Sequence, residues 1–191
     1  MMKIPSLFVR NYAGDRQVRN EVVPGTEWVI NGGGVATRKW DGTSCLVEGG
    51  HLFKRYDAKS PAKAPVGFIP AAEWDSINGH YLGWVPVTDD PSDKYHREAW
   101  AHFSGEDGTY ELVGPKIQGG IEREPHHILR RHGVDVLEHW PRDFDGLRIC
   151  LADGAFEGVV FHHPDGRMAK VKGKDFGIKR WNQMAPVSAG P

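Results

Sequence analysis

Cysteine is nearly absent from this chain: 2 in 191 residues, Cys45 and Cys150, far apart and without a C-x-x-C pair. That disfavours a disulfide framework and a cysteine-ligated metal site. Both thiols are expected to be free and buried, which fits the cytoplasm. Long apolar runs are also missing. No stretch approaches the roughly 20 residues of a membrane helix. Met1-Met2-Lys3-Ile4-Pro5 has no long apolar region and no small-residue cleavage site, so no secretory signal is expected. Charge of one sign does not dominate either. Lys plus Arg number 24 and Asp plus Glu 25, a net charge of -1, which argues against bulk affinity for nucleic acid and leaves room only for a local patch. There is no repeat and no low-complexity block. The 10 histidines include the pairs His126-His127 and His162-His163, but no H-E-x-x-H spacing, so a zinc site is not expected.

What is present is an ordinary globular composition, 39% hydrophobic and 26% charged, long enough for a real core. The expected organisation is a single domain over residues 1–181 and a frayed tail over 182–191. The 24 glycines and 13 prolines are scattered among short apolar runs, which predicts a strand-rich chain with tight turns. Glu27–Ile30 reads as a strand and Asn31-Gly32-Gly33-Gly34 as a turn. Cys45–Val47 and His51–Phe53 flank Gly49-Gly50 as a hairpin. Leu82–Val87 carries Pro86 and reads as an edge strand or a loop. Tyr110–Val113 and Gly158–Phe161 are β-like. Met168–Lys172 alternates, with Met168 and Lys170 on one side and Ala169 and Val171 on the other. Pro125 as a first helical position and Gly133 as a cap predict a helix over 126–132, and Asp143–Leu151 a second one ending near Gly154. Asp57–Pro65 reads as a mobile surface loop.

Three segments carry chemistry. Lys39-Trp40-Asp41-Gly42 has the K-x-D-G spacing of enzymes that attach a nucleotide to their own lysine. Glu157-Gly158-Val159-Val160 and Lys170-Val171-Lys172 supply what such a lysine needs. A lysine near its ordinary pKa of about 10.4 is an ammonium at neutral pH and no nucleophile. Lowering that pKa by about three units takes roughly 4 kcal/mol, which nearby cations and a bound Mg²⁺ can provide. Glu157 can help hold the metal, mostly through water. Lys170 and Lys172 are two apart on a strand and share a face, where they can neutralise an α-phosphate. Gly32-Gly33-Gly34 does not make a phosphate loop with Lys39, because Arg38 precedes the lysine and Trp40 follows it. The stretch Arg167–Arg180 sets six cations against Asp175, a net of +5. It reads equally as a solvated face or as a phosphate-tracking groove, with Phe176 and Trp181 as stacking or core residues.

In this order the segments resemble the covalent nucleotidyltransferase superfamily of ATP-dependent DNA ligases, RNA ligases and capping enzymes. Gly83-Trp84-Val85-Pro86-Val87, Tyr110-Glu111-Leu112-Val113-Gly114-Pro115-Lys116, and His127-Ile128-Leu129 before His132-Gly133 are similar to the compact RNA ligase 1 family. The resemblance runs from about Thr37 to Lys172. It implies an α+β nucleotidyltransferase (adenylation) domain, with antiparallel sheets forming a nucleotide cleft and helices outside. Only 19 residues follow Lys172, so no OB domain is expected.

The resemblance also implies the residue roles. Lys39 forms the lysyl-AMP bond, with Asp41 and Gly42 beside it. Thr37 and Arg38 lie along the adenine, and Arg55 lies near the ribose or the end to be joined, with Lys54 as the competing candidate. Glu111 contacts the ribose hydroxyls. Glu157 serves the metal, and Lys170 and Lys172 the α-phosphate. The implied cofactors are ATP and Mg²⁺, or Mn²⁺, and the implied partner is RNA with 5′-phosphate and 3′-hydroxyl ends. A monomer is expected. The alternatives are a GTP-dependent guanylyltransferase and a catalytically silent RNA-binding module. One departure is visible: where the family continues Gly-Pro-Lys with Gly-Asn-Pro, this chain has Gly119-Gly120-Ile121.

Overall fold

A computed structural model describes residues 4–153 and 157–179. Gly154, Arg180, Trp181 and the tail expected over 182–191 lie outside them. In chain order the described elements are β1 (Phe8–Arg10), β2 (Val18–Val22), β3 (Val35–Lys39), β4 (Thr43–Glu48), β5 (His51–Asp57), β6 (Ile69–Pro70), β7 (Leu82–Pro86), α1 (Lys94–Trp100), β8 (Gly108–Val113), β9 (Ile128–Arg131), α2 (Phe144–Asp153), β10 (Gly158–His162) and β11 (Met168–Lys172). The strand pairings are antiparallel, with one parallel bridge between Ser6 and Lys170. The fold is therefore α+β with mainly antiparallel sheets and few helices, and no closed barrel occurs among the described residues. Among the described residues no helix is long and apolar enough to cross a membrane.

The chain divides into two compact units. Trp40–His132 form a central one, and Ile4–Lys39 with the residues from Gly133 onward form another.

The central unit is a six-stranded sheet in the order β6-β7-β5-β4-β8-β9. One face buries Cys45, Val47, Leu52, Tyr110 and Leu112 against Ala99 of α1, with Tyr95, Trp100 and Phe103 packed around them. The hairpin across Gly49-Gly50 forms as expected, both glycines having left-handed φ values of 57° and 76°. β7 lies between β5 and β6, not at an edge. Pro86 is tolerated because β6 covers only Gly83 and Trp84, so its missing N–H falls beyond β6. The segment expected to be a surface loop begins at the last residue of β5 and contains a 3-10 turn, Pro61–Lys63.

The second unit has a three-stranded sheet, β11-β10-β3, and the hairpin β1-β2. Its core gathers Leu7, Phe8, Trp28, Val29, Ala36, Val159, Phe161, Ala169 and Val171 around Leu147 and Leu151 of α2. α2 forms where the sequence predicts it.

Two expected elements are different in the structure. Glu27–Ile30 is a run of turns, not a strand. Its backbone bonds turn back locally, Val29 N–H to Thr26 carbonyl and Gly33 N–H to Trp28 carbonyl, after the left-handed Gly25. The neighbours Trp28 and Val29 are both buried, which an alternating strand with one buried face does not allow. The helix expected over 126–132 is instead strand β9. Tertiary pairing decides: Ile128–Arg131 completes the ladder along Val113–Tyr110 of β8.

Candidate functional site

In the second unit, Lys39 and Lys172 both stand opposite Gly158, while Thr37 and Lys170 both stand opposite Val160. Directly opposed residues share a face of a sheet. Thr37, Lys39, Lys170 and Lys172 therefore project from one face, and Arg38 falls on the other, beside the core residues Ala36, Val159 and Val171. The backbone N–H of Arg38 is taken by the Asp135 carbonyl at 2.9 Å. Gly158 is required where it sits: a Cβ there would lie 2.3 Å from the Val171 carbonyl oxygen.

The residue before that glycine ties the face together. One oxygen of Glu157 accepts from Lys39 Nζ at 2.5 Å and the other from Lys172 Nζ at 2.5 Å. Burial raises the pKa of Glu157, but the two ammonium groups outweigh it and hold the carboxyl below its ordinary range. Burial and the charge of Lys39 pull Lys172 down, against the pull of Glu157. The Lys170 side chain makes no hydrogen bond or ion pair among the described residues, while its backbone bonds to Pro5 and Leu7. Its own burial, then Lys172 and Lys39, bring its pKa down to about 8. Three lysines against one carboxylate leave an excess of positive charge on a partly buried face, which is an arrangement for an anion.

Thr37 is buried. Its hydroxyl donates to the Val160 carbonyl at 3.3 Å and accepts from His162 Nε2 at 3.0 Å. β11 is anchored at its end by the buried Asp175, which accepts the Lys172 N–H at 2.9 Å and an N–H of Arg10. Arg142 donates to the carbonyls of Val29, Gly33 and Gly34, fixing the glycine turn that leads into β3.

The remaining expected site residues belong to the central unit. Gly42 passes so close to β8 that a Cβ would sit 2.0 Å from the Leu112 carbonyl oxygen. Its N–H donates to Glu111 Oε1 at 3.1 Å, and its carbonyl accepts from Gln118 Nε2 at 3.2 Å. Gln118 opens the segment where the chain departs from the family pattern, a run of left-handed residues through Gly119 and Gly120. Asp41 is buried, and its N–H donates to Glu122 Oε1 at 2.7 Å. Trp40 lies under the guanidinium of Arg130, 5.0 Å away, itself paired with Glu124. Glu111 is buried on β8, opposite Ser44 and Arg130.

Arg55 and Lys54 are adjacent on β5 and so point to opposite faces. The pairings Phe53–Leu46 and Ser44–Glu111 run across the sheet and put Arg55 on the Glu111 face, where it lies 4.9 Å over the Trp84 ring. Lys54 lies on the α1 face, paired with the buried Asp93. Of the two candidates, only Arg55 shares a face with Glu111.

The expected residues thus fall into two sets, Thr37, Lys39, Glu157, Lys170 and Lys172 with Arg38 on the opposite face of their sheet in one unit, and Asp41, Gly42, Arg55 and Glu111 in the other. Sequence reasoning missed Glu122, His132, Arg142, His162 and Asp175. Each acts through a backbone group or another side chain, and no spacing in the chain announces such a contact. Among the described residues no group of three His, Cys, Asp or Glu side chains is placed to hold a metal ion. Cys45 and Cys150 are free; Cys45 is buried, and burial with the nearby Glu111 charge pushes its thiol far up, so it is inert.

No protein-family model matches the chain. Curated relatives do. RNA ligase 1 of Pongo abelii is 26% identical over 60% of this chain and 49% of its own length. RNA ligase 1 of Danio rerio is 27% identical over 53% and 42%, and that of Rattus norvegicus 26% identical over 75% and 67%. The chain thus spans about half the length of the first two. An α+β protein with three lysines on one sheet face is the class that fold and site define. The curated proteins this chain is similar to bear the name RNA ligase 1.

Proposed function

We propose that the chain is an ATP-dependent RNA ligase working through a nucleotidyltransferase (adenylation) fold. The observation that carries the reading is the lysine face: Lys39, Lys170 and Lys172 projecting together, with Glu157 bonded to two of them. Lys39 in its neutral form attacks the α-phosphorus of ATP. The new N–P bond replaces the bond to pyrophosphate, which leaves. Lys170 and Lys172 offset the charge that builds on the phosphate oxygens. The AMP then passes to the 5′-phosphate of an RNA end, and a 3′-hydroxyl displaces it, forming the phosphodiester. Glu111 takes the ribose hydroxyls and Arg55 the ribose or the RNA end, as the resemblance implies.

Both oxygens of Glu157 already accept from lysines, and no three-donor cluster exists among the described residues. A divalent ion here fits only as one that keeps phosphate and water oxygens around it, with Glu157 as the protein's contribution. Mg²⁺ or Mn²⁺ so held supplies charge neutralisation to the phosphates.

The test is strand joining. RNA with a labelled 5′-phosphate and a free 3′-hydroxyl is incubated with the protein, Mg²⁺ and either ATP or GTP. A longer labelled product with ATP, absent in Lys39→Ala, supports the reading. A protein–nucleotide adduct formed from GTP alone supports guanylyl transfer instead. RNA binding with neither joining nor adduct leaves a binding module.

A further inference from the structure

Glu111 has a partner that the sequence does not point to. His132 lies just beyond β9, where its backbone N–H is fixed to the Thr109 carbonyl at 3.0 Å. Its Nε2 meets Glu111 Oε2 at 2.9 Å. Oxygen Oε1 of the same carboxylate takes the Gly42 N–H at 3.1 Å. The carboxylate is therefore held from both sides, by the turn after the K-x-D-G lysine and by a histidine at the end of the neighbouring strand. The His132 Nδ1 is buried and has no hydrogen-bond partner among the described residues, so the ring presents one useful nitrogen, and that nitrogen must carry the proton for Glu111. A carboxylate has about four lone-pair sites, so two remain for a ligand after these two bonds. Glu111 is only 8% exposed, and a buried carboxylate free to rotate would lose both its aim and its hydrogen bonds.

We propose that His132 is a positioning residue that aims Glu111 at the hydroxyl pair of the nucleotide ribose. The proposal rests on the reading of the chain as a lysine-adenylating ligase. It adds that discrimination for a ribonucleotide runs through a histidine that need not touch the nucleotide.

The experiment measures initial rates of labelled adduct formation with α-labelled ATP, 2′-deoxy-ATP and 3′-deoxy-ATP, giving KM and kcat for each. The full chain is used as wild type, His132→Phe and His132→Gln. The expected result is that His132→Phe loses about tenfold of the preference for ATP over the deoxy forms, the worth of about one hydrogen bond. The loss appears mainly in KM for ATP, with the deoxy forms little affected. His132→Gln keeps an N–H donor and retains most of the preference. A purely structural role would slow all three nucleotides together.

An unchanged preference in His132→Phe overturns the proposal, as does its loss in His132→Gln. The glutamine variant decides alone if the phenylalanine variant does not fold. If wild type forms no adduct with any of the nucleotides, the ligase reading fails and this role fails with it. An adduct in wild type with an unchanged preference in the variants overturns the positioning role only.

Discussion

At the scale of single residues, the lysine face is an electrostatic arrangement. A lone Lys170 on an exposed strand would titrate near 10.5, whereas here burial and two neighbouring ammonium groups bring it to about 8. Its reaction with an amine-selective acylating reagent, followed by peptide mass spectrometry across pH, should therefore show a midpoint near 8. The surface lysines Lys59 and Lys94 serve as the internal comparison, because lysine reactivity follows the unprotonated fraction. Removing the carboxylate with Glu157→Gln takes away a charge that raises Lys170, so its midpoint should move lower still. A Lys170 midpoint near 10.5 would show that the three lysines do not share the face. The sign for stability follows from the same shifts. Glu157 is held below its ordinary pKa, so its contribution is full above about pH 4.5 and is lost as pH falls through its lowered value in the folded protein. Lys170 gives the same sign with pH by a different route: its charged form is disfavoured by folding, and that penalty fades as pH rises through about 8 and beyond.

At the scale of elements, close approaches explain the glycines of the two motifs. Gly158 leaves space between Lys39 and Lys172, and Gly42 lets the chain pass against β8. Gly42→Ala should destabilise the central unit by about 3 kcal/mol, the upper range for overpacking, because the obstacle is the Leu112 backbone carbonyl. Urea unfolding measures it, and a change under about 0.5 kcal/mol, the range of a neutral surface substitution, would contradict the geometry. Arg142→Ala removes donors to three carbonyls around the Gly33-Gly34 turn and should cost about 2–4 kcal/mol. The same urea experiment tests it.

Of the strands that carry the site, β11 was legible in the sequence because its alternation is strict, whereas β3, which carries Thr37 and Lys39, was not read as a strand. Lys170 and Lys172 on one side and Ala169 and Val171 on the other is the burial that β11 shows. β9 was not legible. Pro125 and Gly133 frame residues 126–132 like a helix, and only the open edge of β8 makes them a strand. The link between the Gly-Pro-Lys string and the His-Ile-Leu string was also hidden. It is a packing contact: a Cβ at Gly114 would lie 2.5 Å from the His127 ring, and His127 accepts the Lys116 N–H at 3.3 Å. Arg55 and Lys54 were indistinguishable as neighbours in the sequence, and only strand pairing assigns each to a face.

At the scale of the whole molecule, two units each have their own core, and the expected site residues are shared between them. The chain breaks between units at Lys39 and Trp40, inside the K-x-D-G motif, so the lysine belongs to one sheet and the Asp-Gly turn to the other unit. Net charge of -1 puts any affinity for RNA in local basic faces. The most direct measurement of whether Lys39 is a nucleophile is intact-mass and peptide analysis of the protein after incubation with ATP and Mg²⁺. The expected result is a gain of one AMP residue, mapped to Lys39, labile to acid and reversed by added pyrophosphate. It should be absent in Lys39→Ala. An unmodified Lys39 in folded, ATP-treated protein would contradict the central claim.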